Sequence, residues 1–138
     1  MSRDEELRKL LVETQFLEAT AESLQSRINF VNAALADLRI ARMSMEGLMK
    51  EKKDTQLIVP IGGGSYIKVR LDESDLVIAG IGANVAVEKP LPDALERIKN
   101  RMEELEKTAK ALREQLTQVA LKINDNRTKL RELAGERR

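Results

Sequence analysis

Apolar residues recur at alternating steps of three and four along residues 4–53, a stretch with no proline and one glycine, Gly47. One row reads Leu7, Thr14, Ala21, Ile28, Leu35, Arg42 and Met49; its companion reads Leu10, Leu17, Leu24, Val31, Leu38 and Met45. A heptad sustained this long predicts a coiled-coil helix rather than a helix laid on a globule. Residues 92–134 repeat the pattern: Leu95, Met102, Ala109, Leu116, Ile123 and Leu130 in one row, Ile98, Leu105, Leu112, Val119, Asn126 and Leu133 in the other. Pro92 suits a first helical turn, Asp93 complements the positive end of the helix dipole, and Gly135 is a natural stop.

Between the helices the period changes from seven to two. Strands are expected near 56–61, 65–71, 75–80 and 84–89. Gly62-Gly63-Gly64 supplies the first turn, Asp72-Glu73-Ser74 the second and Gly82-Ala83 the third. Glycine admits the positive φ that tight hairpins need. The expected organisation is a first helix over 1–53, a double hairpin over 54–91 and a second helix over 92–138. The fold class is α+β but mainly α: an antiparallel two-helix coiled coil with two β-hairpins at its closed end.

Charge pairing tests whether the helices pair with each other. Layers whose residue numbers total 147 place Met49 on Ile98, Met45 on Met102, Leu35 on Leu112 and Leu24 on Ile123. Three flanking pairs are then opposite in sign: Glu46–Lys99, Arg39–Glu106 and Glu18–Arg127. The other flank is less favourable, with Arg27 near Lys122 and Glu13 near Glu136. In this register Leu10 faces residue 137, Leu7 has no partner, and Val12 and Phe16 lie off the seam. A helix of this length spans roughly 70 Å, so the expected picture is an apolar tip on a long charged arm. Arg42 in the seam should reach Glu46 or Glu106, Asn126 opposite Ala21 should fix register, and Phe30 should pack laterally.

Composition narrows the function. Charged residues make up 34% of the chain and aromatics only 2%, so an ordinary globular core is not expected. With 24 basic and 23 acidic residues, no single-sign field recruits nucleic acid or an anionic membrane. There is no Cys and no His, which removes the usual parts of catalytic triads and transition-metal sites. Gly62-Gly63-Gly64 lacks the following Gly-Lys-Ser/Thr of a phosphate loop. No enzyme, cofactor or metal site is expected. The charged start has no apolar core of a signal peptide, and a cytoplasmic protein is expected.

The linker stretch Val59-Pro60-Ile61-Gly62-Gly63-Gly64-Ser65-Tyr66-Ile67-Lys68, followed by Val77-Ile78-Ala79-Gly80-Ile81-Gly82-Ala83-Asn84-Val85-Ala86-Val87, resembles the α class of archaeal prefoldin. The helix, double hairpin, helix plan is similar over essentially the whole chain. The resemblance implies a hexamer of two α and four β subunits, built on a β-barrel platform. It also implies ATP-independent holding of unfolded polypeptides at the distal tips and their delivery to a group II chaperonin. Client contact would fall to Leu7, Leu10, Leu11, Val12, Phe16, Leu130 and Leu133. Assembly would fall to Leu57, Val59, Ile61, Ile67, Val69, Leu71, Val77, Ile81, Val85 and Val87. The basic end, Arg127, Lys129, Arg131, Arg137 and Arg138, is a candidate for an acidic chaperonin surface. The alternative functions are a coiled-coil scaffold that binds no client, and a nucleic-acid or cytoskeletal tether.

Overall fold

The computed structural model describes residues 2–73 and 75–135. Two long helices, α1 (Arg3–Leu48) and α2 (Leu91–Gly135), bracket four strands: β1 (Gln56–Gly62), β2 (Ser65–Arg70), β3 (Leu76–Gly82) and β4 (Val85–Pro90). Ser74 of the expected second turn, and Glu136, Arg137 and Arg138 of the expected tip contacts, lie outside the described residues.

Ser2 caps α1: its Oγ accepts from the Glu5 amide at 3.2 Å and its carbonyl from the Glu6 amide at 3.0 Å, with Asp4, Glu5 and Glu6 in the first turn. The helix stops at Leu48, short of the expected 53. Beyond Gly47 its bonds tighten to three-residue spacing, Lys50 N–H to the Gly47 carbonyl and Glu51 N–H to that of Leu48. Asp54 then takes φ of 70° and joins the ladder, its amide donating to the Leu71 carbonyl at 2.7 Å. The heptad survives to Met49, but the chain must leave the helix before that in order to enter β1.

The chain forms two compact units. One gathers Met1–Ala34 with Leu105–Arg138; the other is Leu35–Glu104. The core of the first is the seam itself, where Leu24, Ile28 and Val31 of α1 are buried with Ala109, Leu112 and Ile123 of α2. In the second unit Leu35, Leu91, Ala94, Leu95 and Met102 are buried. Of the 25 seam positions named above, only Arg42 and Met49 are exposed, so the heptad identified the buried faces of both helices.

The two hairpins are separate two-stranded sheets that repeat at a 20-residue interval. Gln56–Gly62 corresponds to Leu76–Gly82, and Ser65–Arg70 to Val85–Pro90. Each first strand carries a bulge at the same place, between Pro60 and Gly62 and between Gly80 and Gly82. Each pair closes on two residues with positive φ, Gly63 (57°) and Gly64 (76°) in one, Ala83 (50°) and Asn84 (60°) in the other. This is the primed turn whose twist matches the strands. The third turn is therefore Ala83-Asn84, one residue beyond the expected Gly82-Ala83. Asn tolerates this region, but Ala carries a Cβ penalty there. Ala83→Gly should raise the stability of the chain by about 0.5–1 kcal/mol, read as an upward shift in the thermal unfolding midpoint.

Candidate functional site

Two surfaces stand out: the free ends of the helices in the first unit, and the hairpins in the second.

In the first unit ion pairs link α1 and α2. Glu18 accepts from Arg127 at 3.0 Å, and Lys122 Nζ lies 3.9 Å from Glu13. The first was expected; the second excludes the expected register. With layers totalling 147, Glu13 would sit level with residue 134, about 18 Å along the axis from Lys122, beyond the reach of the two side chains. Layers totalling 140 place both pairs about 7.5 Å apart along the axis, offset in opposite senses. Every Cα–Cβ bond leans toward its own helix N-terminus. Glu18 and Arg127 therefore lean toward each other and close to 3.0 Å, whereas Glu13 and Lys122 lean apart and stop at 3.9 Å. The expected charge partner Arg127 was correct, but its layer was assigned one heptad away. The close pair totals five more than its layer and the looser pair five less, and the lean favours the former.

The corrected register sets Leu7 against Leu133, Leu10 against Leu130 and Thr14 against Asn126. Leu7 and Leu10 are accordingly half-buried, as are Leu130 and Leu133; the expectation that Leu7 lacks a partner and Leu10 faces residue 137 does not hold. Asn126, expected opposite Ala21, is fully buried opposite Thr14, and its Oδ1 and Nδ2 have no hydrogen-bond partner. Off the seam, Leu11, Val12 and Phe16 are exposed, Phe16 by 70%. Val12 and Phe16 line a shallow groove rimmed by Glu5, Arg8, Lys9 and Glu13. Apolar side chains on a charged rim form a surface that buries hydrocarbon without requiring a particular sequence in its partner.

Large exposed apolar side chains concentrate on α1. Phe30, Ile40 and Met43 are each at least 65% exposed, whereas α2 shows Leu121 alone among the described residues. Ile40 and Met43 were missed because only the seam rows were tracked; a second row on the outer face of α1 was the available signal. In the second unit Arg42 bonds Glu46 at 2.9 Å, as expected for a seam arginine escaping to solvent. That hydrogen bond, with the charges of Arg42, Lys99 and Lys50, holds the Glu46 carboxyl below the usual glutamate range.

The hairpin surface is more continuous. Leu57 pairs with Val69 and Val59 with Ile67 across one face of the first hairpin. In the second, Val77 pairs with Lys89 and Ala79 with Val87. Ile61 and Ile81 sit at the two bulges, Val85 opens β4, and Leu71 follows β2, its amide donating to the Thr55 carbonyl at 2.9 Å. The opposite faces mix apolar side chains with charges, Ile58 pairing with Lys68 and Ile78 with Glu88. Ile58 is exposed by 65%, Tyr66 by 64% and Ile78 by 80%. These three were missed, although the unbroken runs Leu57-Ile58-Val59 and Leu76-Val77-Ile78 carried the signature of strands covered on both faces. Each sheet has only two strands, so all four strands present an open edge.

The prefoldin subunit family model matches residues 17–136. The chain belongs to the prefoldin family. Prefoldin subunit alpha of Pyrococcus horikoshii is 29% identical over 131 residues, covering 94% of this chain and 88% of that protein. Prefoldin subunit alpha 1 of Thermococcus kodakarensis is 30% identical, covering 71% of this chain and 67% of its own. The cryo-EM structure of filamentous PFD from Methanocaldococcus jannaschii superposes with a TM-score of 0.68 at 22% identity, covering 81% of this chain and 93% of that chain. It shares the fold: two long helices with two small antiparallel hairpins. With α-subunit relatives over most of its length, the chain is a prefoldin subunit of the α class. Prefoldin is a chaperone family rather than an enzyme family. Among the described residues no helix is long and apolar enough to cross a membrane.

Proposed function

We infer that this prefoldin subunit is an ATP-independent holding chaperone that binds unfolded polypeptides at the free ends of its helices and passes them to a group II chaperonin. The observation that carries this reading is the exposure of Leu11, Val12 and Phe16 within a charged rim, on a chain of the prefoldin family. Leu7, Leu10, Leu130 and Leu133 extend the surface when the end of the seam opens. Burial contributes about 25 cal/mol per Å² removed from water, so one tip binds weakly. Several tips on one assembly raise the effective concentration and supply avidity. Such binding is reversible and tolerant of sequence, as holding requires.

The hairpins assemble the tips. A two-stranded sheet is marginal alone in water, and here both faces expose apolar side chains and every strand has an unpaired edge. Leu57, Val59, Ile67 and Val69, with Ile61, Leu71, Val77, Ile81, Val85 and Val87, join β subunits in a hexamer of two α and four β chains. The subunit acts in the cytoplasm and delivers its client through contacts that include the basic end of α2. The test is light scattering of a chemically unfolded protein diluted with the assembled chaperone and no nucleotide. Scattering should fall in proportion to chaperone added. Undiminished scattering would instead favour the scaffold reading, in which the same hairpins assemble but no client is held.

A further inference from the structure

The first unit contains one layer unlike its neighbours. Headward of it, Leu17 faces Ile123 and Ala21 faces Val119, an apolar seam. Distally, the described residues form two further layers, Leu10–Leu130 and Leu7–Leu133, and all four side chains are half-buried. Between them Thr14 and Asn126 are buried, with 5% and 0% exposure. The Thr14 hydroxyl donates to the Leu10 carbonyl at 2.7 Å within its own helix. Its proton is therefore committed, and Asn126 keeps a donor and an acceptor without partners. A buried amide in that state loses its hydration with no compensating bond.

We propose that the Thr14–Asn126 layer is a hinge at which the distal ends of α1 and α2 part as a unit, and that Asn126 is the positioning residue that sets how often they do. Opening uncovers two thin leucine layers, which is unfavourable, but it also returns the Asn126 amide to water, which is favourable. The two terms oppose each other at this layer alone. Headward layers have no such compensation, so opening does not spread. The ion pairs Glu13–Lys122 and Glu18–Arg127 close both flanks at the same level and mark where the parting stops. In the closed state the four leucines are withheld; in the open state they join Leu11, Val12 and Phe16 as one apolar surface. The functional half of this proposal rests on the client-binding reading above; the structural half does not.

The test is hydrogen exchange of the full chain, assembled and without client, followed by mass spectrometry. Asn126→Leu should slow exchange of amides in residues 3–13 and 127–134 by about tenfold or more, since the unbonded amide is gone. Amides around 24–31 should change little. A second variant removes dependence on how leucine packs. Leu10→Cys with Leu130→Cys places the only two cysteines of the chain in one layer, and their oxidation should lock the ends until reductant is added. Slower distal exchange together with weaker client holding supports the whole proposal. Slower exchange with unchanged holding upholds the hinge and overturns the assignment of the four leucines to client contact. Distal exchange equal to wild type in both variants overturns the hinge.

Discussion

Removal of residues 1–12 should abolish the proposed suppression of aggregation while leaving the assembled state unchanged on sizing. The deletion takes away Leu7, Leu10, Leu11 and Val12 together, and with them the α1 side of both distal layers. Leu130 and Leu133 then face no partner helix, and Phe16 stands without Val12 in its groove. Each aliphatic side chain lost from a client interface is worth about 1.5–3 kcal/mol if fully buried. Several such losses, repeated on every copy in an assembly, multiply through avidity. The same residues are remote in sequence from the hairpins, and the buried cluster Leu24, Ile28, Val31, Ala109, Leu112 and Ile123 remains intact. Helicity by circular dichroism should therefore persist. Scattering equal to that of the full chain would remove the client role from this end.

Ile67→Asp should have the opposite signature, a folded subunit that no longer assembles. Ile67 lies opposite Val59 on the face that Leu57 and Val69 complete. A carboxylate placed there must be either buried unpaired, at a cost of several kcal/mol, or kept in water by leaving the interface open. A two-stranded sheet has no other means of covering that face. Native mass spectrometry with a co-expressed β-type subunit should then show monomer in place of the wild-type oligomer. The seam of the first unit involves none of these residues, so its helical signal should be retained. An intact oligomer for this variant would move the interface to the opposite face, where Ile58, Tyr66 and Ile78 are exposed.

Much of this was legible in the chain because the signals are local. The three-and-four alternation marked the seam, and burial follows it at all but two of its positions, Arg42 and Met49. Gly62 to Gly64 announced a primed turn because few other residues hold positive φ without strain. The turn at Ala83-Asn84 was placed one residue early for the complementary reason: an alanine there gives no local sign of positive φ. The end of α1 was overrun because the heptad continues to Met49, while the exit is decided by the pairing of Asp54 and Thr55 with Leu71. The 20-residue repeat of the hairpins was present in Ile61-Gly62 and Ile81-Gly82 but is weak in side chains, because it is a repeat of backbone geometry.

The sequence by itself determined two heptad helices and two hairpins between them, which follow from short-range period and residue chemistry. Only the tertiary structure decided which layers face each other. A heptad repeats every seven residues, so neighbouring registers share nearly the same apolar matches, and exposed charges separate them by only a few tenths of a kcal/mol. The register present is read from the Glu18–Arg127 and Glu13–Lys122 pairs, which fit layers totalling 140 and not 147. That single heptad places Asn126 opposite Thr14 instead of Ala21, and gives Leu7 and Leu10 partners of their own.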